Sequence, residues 1–135
     1  MICTSIASPW SSLLCGAEIE NDTVLNDLVH HPLLQDRHYQ IIQYDSKDPR
    51  GIDVALLYHP KYFIPQTAEK LFVALPGNSK EAYYTRAILY VKGLLAGETI
   101  HVYVNHWHSG RGGEERNSPD IETAAEDCRQ HNNTL

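Results

Sequence analysis

Glu18 closes a short apolar run, residues 13–19, and is the first side chain whose type and place could do chemistry. A carboxylate at the end of an apolar strand is costly unless it is exposed, paired or bound to a cation. Magnesium commonly takes one or two carboxylates together with waters and a substrate phosphate. Glu18 is therefore a candidate metal ligand, and an ordinary solvated strand end is the alternative.

Asp53 is the second candidate, because it lies one residue inside the strand-like run of residues 52–58. Aspartate is a poor strand former, so a specific partner should hold it there. A simple ion pair with the nearby Arg50 is one explanation. The other is that Asp53 belongs to a functional site.

His106 and Arg86 are candidates for contacts with an anionic substrate. His106 continues the apolar face set by Ile100, Val102 and Val104. Histidine changes charge near neutral pH, so His106 could contact a phosphate or transfer a proton; a packed core histidine is the alternative. Arg86 opens another strand and could bind a phosphate through two parallel hydrogen bonds, and a surface arginine is its alternative.

The elements that must position these side chains are mostly strands. Apolar patterning predicts strands over residues 13–19, 39–44, 52–58, 69–75, 86–95 and 99–107. A helix capped by Asn21 or Asp22 follows the first strand, and a second helix is predicted to begin at Ser118 with Pro119 in its first turn. Several strands are apolar on both faces, which implies burial on both sides. The order favours an α+β or layered α/β/β/α fold, mostly antiparallel with flanking helices.

Composition sets the outer limits. The chain has 135 residues, 42% apolar and 21% charged, which is typical of one globular domain. Its net charge of −6 argues against holding nucleic acid by bulk electrostatics, so such a contact needs a local site. Three cysteines at unrelated spacings match no metal or redox motif. Neither a convincing signal peptide nor a membrane-spanning run is present, and the compartment stays open.

Four segments together resemble a bacterial branch of the endonuclease/exonuclease/phosphatase (DNase I-like) family. They are Glu18-Ile19-Glu20-Asn21, Arg50-Gly51-Ile52-Asp53-Val54-Ala55-Leu56-Leu57-Tyr58, Thr85-Arg86, and Val104-Asn105-His106-Trp107 followed by Arg111-Gly112-Gly113-Glu114. Their order and spacing also match. The resemblance covers about residues 13–130, and the second and fourth segments are its specific parts.

The resemblance implies a four-layered α/β/β/α sandwich and nuclease-like hydrolysis of a phosphodiester or phosphomonoester with Mg²⁺ or Mn²⁺. It implies that Glu18 binds the metal and that His106 contacts the phosphate. Asp53 falls near an acid that orients that histidine, while Asn105 and Arg86 are weaker carry-overs as substrate-binding residues. We therefore expect the Asp53 and His106 side chains to lie within hydrogen-bond distance or one water apart, with Glu18 facing the same cleft. The substrate class within the family, whether DNA, RNA, nucleotide or phospholipid, stays open.

Departures from the family pattern put part of the activity in doubt. The family's N-H-W-P-S-R reads Asn105-His106-Trp107-His108-Ser109-Gly110 here, and its later G-D-F-N and Asp-His segments do not occur in these residues. We therefore expect a single partial domain over residues 1–135 that is inactive alone and self-associates through an uncovered sheet. The alternative is a non-catalytic, degenerate domain that binds a phosphate ligand or a protein partner.

Overall fold

The computed structural model describes residues 12–44, 53–75, 83–84, 87–106 and 114–134. Most of its elements are strands, and one helix lies near each end of the described chain. They are β1 (Leu13–Ile19), α1 (Asp22–Val29), β2 (Gln40–Gln43), β3 (Asp53–Tyr58), β4 (Phe63–Leu71), β5 (Ala74–Leu75), β6 (Tyr83–Tyr84), β7 (Ile88–Leu95), β8 (Glu98–Val104) and α2 (Glu114–Asn133). A short 3₁₀ turn, Gln35–Arg37, precedes β2.

Two three-stranded sheets form the centre of the molecule. The first sheet has the order β1-β3-β2 and the second sheet has the order β4-β7-β8, while β5 and β6 form a separate two-stranded pair. Every pairing is antiparallel. Strand β3 is therefore the middle of the first sheet and β7 the middle of the second.

The core is built in layers because each middle strand is apolar on both faces. On one face of β3, Ala55 and Leu57 pack with Leu25 and Val29 of α1. Its other face packs against the second sheet, in a cluster of Val54, Leu56, Phe63, Leu89, Val91 and Val104. The far side of the second sheet is covered by α2 through Val73, Ile88, Ala124 and Cys128. The arrangement is α/β/β/α, which confirms the predicted fold class.

Helix α1 begins where the capping signal predicts. Asn21 is its N-cap, and the side-chain oxygen of Asn21 accepts a hydrogen bond from the Val24 amide at 3.1 Å. This bond satisfies one of the amides that a helix start leaves without an intrahelical partner. The cap fixes the point where the chain leaves β1, directly after Glu18 and Ile19.

The bounds predicted for the fourth strand are wrong. The strand predicted over residues 69–75 begins at Phe63 and ends at Leu71. Pro65 and a register irregularity between Pro65 and Thr67 obscured it, since proline cannot donate to a ladder and is tolerated only at an edge such as β4.

Helix α2 begins at Glu114 and not at Ser118, so Pro119 lies inside it and removes one helical hydrogen bond. Within α2, Ala124 is buried and Cys128 packs on the second sheet, whereas Ile121 and Ala125 are exposed. Among the described residues, neither helix is long and apolar enough to cross a membrane.

Candidate active site

Glu18 occupies a β-bulge at the end of β1. Ala17 pairs with Val54 and Ile19 pairs with Asp53, so Glu18 is the extra residue on its strand. Its φ of 61° lies in the left-handed region, which costs an L-residue about 1–2 kcal/mol. Bulges next to functional sites re-aim a side chain, and such strain persists only where the surrounding structure enforces it.

His106 lies two residues beyond the end of β8, and its imidazole meets the Glu18 carboxylate. The distance from Nε2 of His106 to Oε1 of Glu18 is 3.3 Å. The imidazole is mostly buried, with 16% of its side chain exposed, and the carboxylate is 55% exposed. The structure thus brings these two predicted site residues together at one end of the two-sheet sandwich.

The His106 imidazole and the Glu18 carboxylate can form a hydrogen bond or an ion pair. When Nε2 carries a proton it donates to the carboxylate, and a protonated imidazole forms an ion pair with it. The histidine sits behind and the carboxylate in front, because the carboxylate is the more exposed of the two. The Glu18 carboxylate is therefore the more accessible of the two groups to solvent.

Asn105, next to His106, carries a polar atom that lacks a partner. Its Oδ1 is buried and accepts no hydrogen bond from the described residues, while Nδ2 donates to the Tyr103 carbonyl at a long 3.5 Å. An orphaned buried acceptor costs about 1–3 kcal/mol. A hydrogen-bond donor or a cation at this position would relieve that cost.

Asp53 is placed by its backbone alone. It starts β3 opposite Ile19, immediately beyond the bulge that carries Glu18. Its side chain, like Arg50 and Arg86, lies outside the described residues. The predicted contact between Asp53 and His106 therefore stays a prediction, as does the role of Arg86.

Glu18 as the direct partner of His106 was not predicted, although the two were expected to face the same cleft. The sequence signal for the shared cleft was limited to a polar residue at the end of each of two apolar strands. The bulge at Glu18 left no recognisable signal, because glutamate carries no preference for a left-handed backbone.

The donor set fits a magnesium-type ion better than a structural zinc. Within the described residues, no group of three or more histidine, cysteine, aspartate or glutamate side chains could hold a metal. Structural zinc requires four protein ligands. Magnesium retains waters and is held by one or two carboxylates plus substrate phosphate. The exposed Glu18 carboxylate is a ligand of this type.

Comparison with known proteins supplies a family. The family model described as Endonuclease/Exonuclease/phosphatase family matches residues 4–135, nearly the whole chain. No curated protein and no solved structure was matched.

Proposed function

Because the chain belongs to the endonuclease/exonuclease/phosphatase family, we propose that it is a metal-dependent, nuclease-like phosphoesterase whose site is built around Glu18 and His106. The observation that carries the proposal is the 3.3 Å contact between their side chains at the end of the sandwich. A carboxylate and an imidazole converging there supply one group for a cation and one for a phosphate.

Glu18 holds the metal in this proposal, as Mg²⁺ or Mn²⁺. A bound ion of this kind neutralises a phosphate oxygen and stabilises charge in the transition state. The strained backbone at Glu18 supports the assignment, since strain is commonly kept where it aims a functional side chain.

His106 and its neighbours hold the phosphate. The His106 imidazole donates a hydrogen bond to a phosphate oxygen, and its partial burial fixes the ring orientation. Asp53 orients the imidazole, while Asn105 and Arg86 add substrate contacts. The buried Oδ1 of Asn105, which has no donor among the described residues, supports a polar group arriving at this place.

The test is metal-dependent binding of a phosphodiester. Bis-p-nitrophenyl phosphate is titrated into the 135-residue chain with Mg²⁺ and then with excess chelator, while the His106 ring resonances are followed by NMR. We expect saturable shifts that need Mg²⁺ and that disappear in Glu18→Gln. His30→Gln, at an exposed histidine of the α1 C-cap, is the control and should bind as the wild type does. Equal binding with and without Mg²⁺ would refute the proposal.

A second function, a non-catalytic phosphate-binding domain, is favoured by one observation. The 135 residues contain neither a Gly-Asp-Phe-Asn segment nor an Asp-His pair. Residues 1–135 alone should bind the phosphodiester with Mg²⁺ without hydrolysing it, since loss of a general acid–base group costs about 10²-fold or more. That result is compatible with both functions. Mg²⁺-dependent hydrolysis that is lost in Glu18→Ala would rule out the non-catalytic domain.

A further inference from the structure

We propose that two copies of the chain associate by antiparallel pairing of their β8 strands. Strand β8 ends the order β4-β7-β8, and no strand of the described residues pairs with its outer side. An unpaired strand edge presents a row of backbone donors and acceptors to a second strand. This association uses β8 itself, whereas Asn105 and His106 of the candidate active site follow its end, and it does not depend on a metal.

The other three edges of the two three-stranded sheets carry features that discourage pairing. Strand β4 contains Pro65 and a register irregularity, β1 contains the bulge at Glu18, and β2 is four residues long. Proline, bulges and short edge strands are the devices by which proteins protect an edge. By contrast β8 pairs with β7 in unbroken register over seven residues, Glu98–Val104, and contains no proline or lysine.

A groove beside β8 leaves room for an added strand. A cavity of about 560 Å³ lies between β8 and the C-terminal half of α2. Its lining includes Thr99, Ile100, His101 and Tyr103 from the strand and Cys128 and Asn132 from the helix. An extended segment can add to an exposed sheet edge as a further strand, and the groove leaves space beside this edge.

A second β8 is the occupant that fits this edge, because β8 is self-complementary. A twofold axis perpendicular to the sheet keeps equivalent faces on the same side, and full overlap of the seven residues centres it at His101. Ile100 then lies opposite Val102 of the partner subunit, which extends the apolar layer between the sheets to which both half-buried residues belong. Glu98 is the one charged side chain of β8 and lies at its end, so the net charge of −6 adds little repulsion there.

The test uses charge at the centre of the pairing. His101→Lys and His101→Glu each set two like charges opposite one another, so each alone should associate less than the wild type. Lys92 lies opposite His101 on β7, so it adds to the repulsion in the lysine variant and offsets part of it in the glutamate variant. Their equimolar mixture should recover the dimer, because the opposed charges then attract. His101→Gln places an uncharged polar side chain at this position and should dimerise as the wild type does. Sedimentation velocity over a concentration series measures all four samples, and we expect a rise of about 10-fold or more in the dimer Kd for each charged variant.

A second measurement fixes the position of the interface. Amide hydrogen exchange at rising protein concentration should slow in β8 and stay unchanged in β4. Thr67→Lys, on the outer face of the protected β4 edge, should leave the dimer Kd unchanged. A wild-type chain that is monomeric at every concentration, a dimer that survives both charged variants, or a mixture that fails to recover association would each overturn the proposal.

Discussion

Oε1 of Glu18 lies 3.3 Å from Nε2 of His106, although Glu18 belongs to the first sheet and His106 follows the last strand of the second. The contact exists only when the two sheets are packed face to face, since neither strand pairs with the other. The candidate site is therefore a product of the sandwich and not of any single segment. Changes in sheet packing should alter the site even where no site residue is touched.

The left-handed backbone at Glu18 should lower the free energy of unfolding of the protein. Glu18→Gly removes both the carboxylate and the left-handed strain, whereas Glu18→Ala removes the carboxylate alone. We expect the glycine variant to be the more stable of the two by about 1 kcal/mol. Urea denaturation of both variants measures the difference, and equal free energies of unfolding would show that the φ of 61° costs nothing.

The close approach of β7 to β4 at Gly93 leaves no room for a side chain. A Cβ at this position would lie 2.6 Å from the Ile64 carbonyl oxygen and would also overlap the ring of Phe63, which is fully buried. Backbone cannot yield easily, so Gly93→Ala should lower the free energy of unfolding by about 1–3 kcal/mol.

Gly16→Ala is the matched control for this crowding. A Cβ at Gly16 would meet Cδ1 of Ile19 at 2.9 Å, which is the flexible end of a side chain and can move. We expect its cost to be the smaller of the two in the same denaturation experiment. An equal or larger cost at Gly16 would contradict the role given to the β4 backbone.

Much of the fold could be predicted from sequence because its signals are local. The alternation of Ile100, Val102 and Val104 gave the inner face of β8, and Asn21 gave the start of α1. The start of β4 could not be predicted, since Pro65 interrupts the period that identifies a strand. The start of α2 was predicted at Ser118, four residues beyond its true start at Glu114. Proline is usual in the first turn of a helix, but Pro119 lies deeper in this one.

The site was less predictable than the fold for a physical reason. Polar residues at strand ends could be identified singly, but their meeting depends on how two sheets stack, which no local pattern encodes. The bulge at Glu18 adds a shift of one residue that turns the side chain away from the ordinary alternation. For this reason the sequence indicated a shared cleft and did not indicate the direct contact with His106.

Tyr103 predicts a loss of stability at alkaline pH. Burial first, then the neighbouring Tyr90 and Cys128, raises the pKa of Tyr103 above its usual 10.0. The unfolded chain therefore releases this proton first, so the stability that the neutral phenol contributes is complete below pH 10.0 and is lost as pH rises through the folded pKa. Urea denaturation at about pH 8 and about pH 11 should show a smaller fall for Tyr103→Phe than for the wild type.

The same substitution should weaken the protein slightly at neutral pH. The Tyr103 hydroxyl forms a hydrogen bond with Nδ1 of His131 at 2.9 Å, which links β8 to α2. Its removal should cost about 1 kcal/mol. Tyr62→Phe, at an exposed ring, is the control for losing a tyrosine. A Tyr103→Phe variant with an unchanged alkaline fall would contradict the assignment of that fall to Tyr103.

Glu126 predicts a local titration with little global effect. Hydrogen bonds from Arg129 and then Gln130 lower the pKa of the Glu126 carboxyl to about 2. In Arg129→Gln we expect this pKa to rise toward its usual 4.5, as followed by NMR of the carboxyl carbon. The pair is exposed, so water screens it and the acid unfolding transition should hardly move. A large shift of that transition would show that α2 depends on the pair.

Manganese broadening tests the central claim most directly, because it locates the cation without requiring turnover. Mn²⁺ added in small amounts to the 135-residue chain should broaden the resonances of both Glu18 and His106, and Mg²⁺ should reverse the effect by competition. Glu18→Gln should abolish the broadening, whereas Glu20→Gln, at an exposed carboxylate two residues away, should leave it intact. Broadening that is absent from His106, or that Glu20→Gln reduces as much as Glu18→Gln does, would contradict a metal site at the contact of Glu18 and His106.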